Sequence, residues 1–253
     1  MDKLQECAKS FEHLLDKKYH IIIGRKGKSA DIELSFDIVD FHHLVGLHKL
    51  KDLQISVENR EKVFRDILAG HISFSDLKKS DFFRQMGNRI EPFTGLEHIL
   101  DDNRLIFKYN EKANSFSLIQ AEYLLSTPYK ANEIYVFLDK KDDDKFFCRS
   151  FFPKENKDYT LRQPTYTLLF KEKITISTGE KEVQYDRLSQ LQKKTDLTIE
   201  QTVSKENLSI APPEKKKKTF ADVKANALKK AEAYNKSVEI KEKSIPMKSD
   251  PEL

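Results

Sequence analysis

His42 and Lys49 stand seven residues apart in Ser35 to Leu53, SFDIVDFHHLVGLHKLKDL, and at helical spacing they share one stripe. Ile38, Val45 and Leu53 fall beside them, so the stripe belongs to a helix that is apolar almost all round and therefore buried. Two basic side chains on such a helix either line a cleft and meet an anion, or resolve as a hydrogen-bonded core histidine and a lysine that reaches solvent. A second basic group, Arg149, sits among aromatics in Lys145 to Pro153, KFFCRSFFP. A planar guanidinium suits a half-buried carboxylate or phosphate, and an internal salt bridge is the competing reading.

Other chemistries find little support. His43 and His48 are five residues apart, off a common helix face, and no HExxH or CxxC pattern occurs. Asp142-Asp143-Asp144 reads as a solvated turn, and no Gly-x-Ser-x-Gly elbow is present. Gly24 to Ser29 ends Gly-Lys-Ser, but the position five before Gly27 is Ile22 and a strand follows instead of a helix. Arg25, Lys26 and Lys28 are left as a basic hairpin loop that could touch a polyanion. Histidine, lysine and arginine without a metal suit cleavage of RNA through its own 2′-hydroxyl. The histidine moves the proton and the cations offset charge on the phosphorane oxygens.

The elements that must carry these groups follow from periodicity. Residues 2–18 read as an amphipathic helix and Tyr19 to Ile23 and Asp31 to Phe36 as strands. The Ser35–Leu53 helix comes next, capped by Ser35 or Asp37, then helices over Glu58–Ala69, Ser75–Met86 and Thr94–Leu100. From Arg104 the pattern switches to period two. Strands are expected over Arg104–Tyr109, Phe116–Leu125, Glu133–Asp139, Lys145–Phe152 and Thr165–Ile176, with Val183 and Tyr185 as a last partner. Alternation in the Arg149 strand puts Phe146, Cys148, Ser150 and Phe152 on one face and Phe147, Arg149 and Phe151 on the other, as in a central strand. The fold class is therefore α+β, with N-terminal helices packed on an antiparallel sheet.

Charge divides the chain. Residues 186–253 hold 15 Lys and Arg against 11 Asp and Glu, whereas residues 1–185 hold 30 of each. A body without net charge must meet nucleic acid through a local patch. The segment 186–253, with Ala211-Pro212-Pro213 and the run Lys215 to Lys218, reads as a flexible, disordered lysine-rich tail after a domain over 1–185. Cys7 and Cys148 are the only cysteines, and there is no secretory or membrane-spanning run. These features point to a reduced, cytoplasmic protein.

Three phrases carry a family resemblance: Tyr19-His20-Ile21-Ile22-Ile23-Gly24-Arg25-Lys26-Gly27, Phe41-His42-His43-Leu44-Val45-Gly46-Leu47-His48-Lys49-Leu50 and Phe147-Cys148-Arg149-Ser150-Phe151-Phe152-Pro153. Together they resemble a phage branch of the Barnase–EndoU–colicin–RelE-like nucleases over about residues 1–185. The resemblance implies helices on an antiparallel sheet and a metal-independent RNA endonuclease of phage or conjugative-element origin, toxin- or effector-like, with no cofactor. Its candidate partners are transfer or ribosomal RNA and an antitoxin or host protein, with no membrane. The residue chemistry assigns His42 or His43 as the proton-transfer group and Lys49 and Arg149 as phosphate stabilisers, with Ser150, Arg25, Lys26 and Lys28 as substrate contacts. A non-catalytic protein- or nucleic-acid-binding effector on the same fold is the alternative.

Overall fold

The computed structural model describes residues 2–102, 105–114, 116–142 and 144–190. From residue 191 onward the expected tail lies outside the described residues. Helix α1 (Lys3–Leu14) starts at Asp2, whose carboxylate accepts from the Leu4 and Gln5 amides, and it buries Leu4, Cys7, Phe11 and Leu14. Strands β1 (Lys17–Arg25) and β2 (Lys28–Ser35) form a hairpin. Lys26 and Gly27 turn it at φ 49° and 76°, the positive angles a two-residue hairpin turn requires.

Helix α2 (Ile38–Leu44) begins with a reciprocal cap between Asp37 and Asp40. It is much shorter than the periodicity predicts. Gly46 takes φ 89°, a left-handed conformation that ends the helix, and Leu47–Lys49 continues as a separate 3-10 turn. Helices α3 (Arg60–Leu68), α4 (Phe74–Leu77), α5 (Ile90–Phe93) and α6 (Leu96–Asp101) complete the helical layer, with a 3-10 turn at Phe83–Met86. The predicted Ser75–Met86 helix is thus two short pieces, and α5 adds a turn that the sequence reading omits.

The remaining strands are β3 (Leu105–Lys108), β4 (Tyr123–Tyr129), β5 (Asn132–Lys140), β6 (Lys145–Pro153), β7 (Thr165–Thr175) and β8 (Lys181–Asp186). The expected strand over Phe116–Leu125 begins only at Tyr123, and the chain before it is irregular. Sheet order is β1-β2-β6-β5-β4-β3-β7-β8, and a further β1–β7 pairing closes strands β1 to β7 into a ring. Strand β8 pairs along the β7 edge next to β3. The α+β class therefore holds, while the sheet is a closed one and not wholly antiparallel. Strands β2 and β6 run parallel and pair only through Glu33–Lys145 and Leu34–Phe146.

Two apolar clusters occupy the two faces of the sheet. The larger takes Tyr19, Ile21 and Ile23 from β1, Ile134, Val136 and Leu138 from β5, and the buried faces of the helices. The smaller holds Phe107, Tyr109, Leu124, Tyr135 and Phe137, with Phe152 and Tyr159 packed against it. In β6 the alternation breaks. Leu138 pairs with Cys148 and Phe137 with Ser150, so Arg149 is the extra residue of a bulge. Phe146, Cys148 and Phe151 consequently share the larger cluster, and Ser150 turns to the Phe137 and Phe152 side. Among the described residues no helix is long and apolar enough to cross a membrane.

Candidate active site

Past Phe146, strand β6 leaves β2, and the edge it frees faces α2 and the segment leading into α5. A cleft of about 560 Å³ opens beside that edge. Its lining holds the basic groups His43, His48, Lys49, Arg84, Arg89 and Lys157 together with the apolar and aromatic groups Phe116, Leu118, Ile119, Phe152 and Tyr159. Ser150 lies in the lining, and Glu155 is the one carboxylate there among the described residues.

The two histidines meet because the helix stops. Gly46 reverses the chain after α2, and the 3-10 turn lays the His48 ring flat on His43, with centroids 4.2 Å apart and planes 12° apart. A continuous helix would have kept residues five apart on different faces. Burial, then Arg89 and Arg149, lowers the His43 pKa to about 4. Burial, then His43 and Lys49, lowers His48 to about 3. Both rings are therefore neutral at pH 7. His48 Nδ1 is buried and takes no hydrogen bond in the described structure.

Cations flank the stack. Lys49 Nζ donates to the Gln85 carbonyl at 2.9 Å, and burial with the nearby Arg89 charge lowers its pKa to about 8. Arg89 is 8% exposed. One of its terminal nitrogens donates to the Phe151 carbonyl at 2.9 Å and to Leu44 at 3.5 Å, tying α2 to the free edge of β6. Its guanidinium stands 5.2 Å from the centre of the Phe152 ring. Desolvation lowers its pKa to about 10 while Glu155 and Tyr159 raise it, so it stays charged. A buried, charged arginine held by carbonyls, with no ion-pair partner among the described residues, is a ready anion site.

Of the residues singled out in the sequence, His43, Lys49 and Ser150 line the cleft together. His42 does not. It is 2% exposed and shares a 2.8 Å hydrogen bond between its Nε2 and the Ile55 carbonyl, which is the arrangement of a core histidine. Arg149 stays exposed on its bulge outside the lining, near enough that its charge helps depress His43. Arg25, Lys26 and Lys28 are exposed at the β1–β2 turn and take no part in the lining.

Sequence reasoning weighed His48 only as a metal ligand and omitted Arg84, Arg89, Glu155 and Tyr159. Gly46, in the middle of an apolar run, was the available sign that His48 could fold back on His43. Arg89 carried no sign of its own. Among the described residues no group of three or more His, Cys, Asp or Glu side chains is placed to hold a metal ion.

Comparison with curated proteins and with solved structures returned no match. A family model does match, and it spans residues 3–188, which takes in every strand and helix that builds the cleft. The chain belongs to that family, described as phage-Barnase-EndoU-ColicinE5/D-RelE like nuclease4, and its body is a phage-type nuclease domain.

Proposed function

We propose that the body is an endoribonuclease that cuts RNA by attack of the 2′-hydroxyl on the adjacent phosphate. The observation that carries this reading is one cleft with a neutral histidine, a lysine of lowered pKa and a buried arginine that makes no ion pair among the described residues. A base with pKa about 4 and an ammonium with pKa about 8 are in opposite protonation states at pH 7, as an acid–base pair must be.

His43 accepts the 2′-hydroxyl proton while the 2′-oxygen bonds to phosphorus. The bond from phosphorus to the 5′-oxygen breaks, and Lys49 gives that oxygen a proton. The products are a 2′,3′-cyclic phosphate and a free 5′-hydroxyl. As the phosphate anion enters, its charge raises the His43 pKa toward a more effective range. Arg89 and, from the rim, Arg149 offset the charge gathering on the equatorial oxygens, with the Ser150 hydroxyl as a lesser donor. Arg25, Lys26 and Lys28 contact the RNA backbone away from the reacting bond. Transfer or ribosomal RNA in the cytoplasm of a host cell is the expected substrate of such a phage- or element-borne effector.

The test is incubation of the purified chain with transfer RNA, ribosomal RNA and DNA, in EDTA and in magnesium. Cyclic-phosphate ends from RNA in EDTA support the reading. Cleavage of DNA alone, or turnover only with magnesium, overturns the mechanism. No turnover in any condition leaves a non-catalytic binding effector on the same fold.

A further inference from the structure

The cleft lining combines two kinds of side chain, cationic and apolar, and the proposed phosphate chemistry uses only the first. Beside the cations, Phe116 and Leu118 are 39% and 97% exposed in the irregular stretch before β4, and Ile119, Phe152 and Tyr159 line the same cleft. Phe116 takes the edge of Tyr159 with centroids 5.2 Å apart, and Lys157 Nζ lies 5.1 Å from its ring centre. Large apolar side chains exposed at the wall of a cationic cleft mark a ligand and not a core. Lys49, Arg84, Arg89 and Lys157 are set there against Glu155 alone, on a body with equal numbers of acidic and basic residues.

Aromatic and apolar surface beside clustered cations is the pairing that stacks a base while holding its phosphate. We propose that the wall formed by Phe116, Leu118 and Tyr159 is a subsite for an unpaired nucleobase next to the bound phosphate. This rests on the nucleic-acid reading of the cleft and specifies it. The substrate is single-stranded or looped RNA, because bases stacked inside an A-form duplex cannot reach such a wall. The site volume of about 560 Å³ falls within the range of pockets that take a small ligand such as one nucleotide.

The probes are short 2′-O-methyl oligonucleotides, which cannot be cut through the 2′-oxygen: one single-stranded, one abasic of equal length, and one in a duplex. Binding to the full chain is followed by fluorescence anisotropy. Wild type should bind the base-bearing single strand about tenfold more tightly than the abasic one, the scale of one stacked base. Phe116→Ala with Leu118→Ala, which removes little from the core, should erase that preference and leave abasic affinity unchanged. Equal affinity for the base-bearing and abasic strands, a duplex bound as tightly as the single strand, or a preference that survives the double substitution would overturn the subsite. Cleavage of unmodified RNA is scored separately. A chain that shows the base preference but cuts nothing keeps the subsite and loses the nuclease reading.

Discussion

His43 lies flat against His48, 4.2 Å between ring centres, because Gly46 between them holds a backbone angle that other residues resist. One turn thus brings both rings into the lining of the same cleft. The same turn places Lys49 next to the stack and sets Gly46 beside Arg89 and Met86.

Replacing Gly46 by alanine separates backbone strain from crowding. An added Cβ would stand 3.5 Å from Arg89 Cδ, which is ordinary contact, so the cost is the φ of 89°. The variant should lose about 1–2 kcal/mol of stability. Its RNA cleavage should fall further than that loss explains, because His48 shifts from His43. Chemical unfolding and cleavage rates on the same preparation check this, and an unchanged rate would detach the turn from the chemistry.

Acid should destabilise the fold through the same pair. The folded pKa values, about 4 for His43 and about 3 for His48, lie below the ordinary 6.5. Between about 4 and 6.5 the unfolded chain therefore binds more protons than the folded one, and stability rises with pH across that window. Lowering pH from 6.5 should erode it before most carboxylates titrate. Urea unfolding at a series of pH values should show this slope, and His48→Asn should flatten it. A slope unaffected by that substitution would mean that the rings are not buried and neutral as described.

His42 and His43 are neighbours in sequence with different surroundings, the first buried on the Ile55 carbonyl and the second lining the cleft. Replacing His42 by alanine leaves the buried Ile55 carbonyl without its partner and opens a cavity. The expected cost is about 2–4 kcal/mol. Cleavage per folded molecule should stay close to wild type. A stable His42→Ala protein without activity would return the catalytic role to His42.

The body should stand without the tail. A chain ending at Gln190 keeps the core and every strand of the sheet, and it retains the whole of the family match. Its melting temperature should lie within about 2–4 °C of the full chain, the shift that roughly 1 kcal/mol produces at this size. A larger drop would place part of the fold beyond residue 190.

Legibility followed the physics of each segment. Strands β1, β2 and β5 were readable because their side chains alternate between a packed face and a second environment. The α2 helix was overdrawn because Leu47 and Leu50 are buried on the 3-10 turn just as they would be on a helix, so periodicity missed the break at Gly46. Phe116 to Ala121 resembles a strand since its apolar residues cover the smaller cluster and line the cleft without joining the sheet. In β6 a one-residue bulge at Arg149 inverted the faces beyond it, a register effect that no local pattern reports. Arg89 stayed hidden because its partners, the Leu44 and Phe151 carbonyls, lie 45 and 62 residues away.

The most direct measurement is the single-turnover rate of RNA cleavage in EDTA for wild type and for His43→Ala, each shown to be folded by circular dichroism. The account predicts a loss of more than about a hundredfold for the variant, the scale of a general acid–base group. It also predicts that wild-type kcat/KM holds as pH falls through 6.5 and declines only near 4. A folded His43→Ala protein that cuts RNA at the wild-type rate would contradict it.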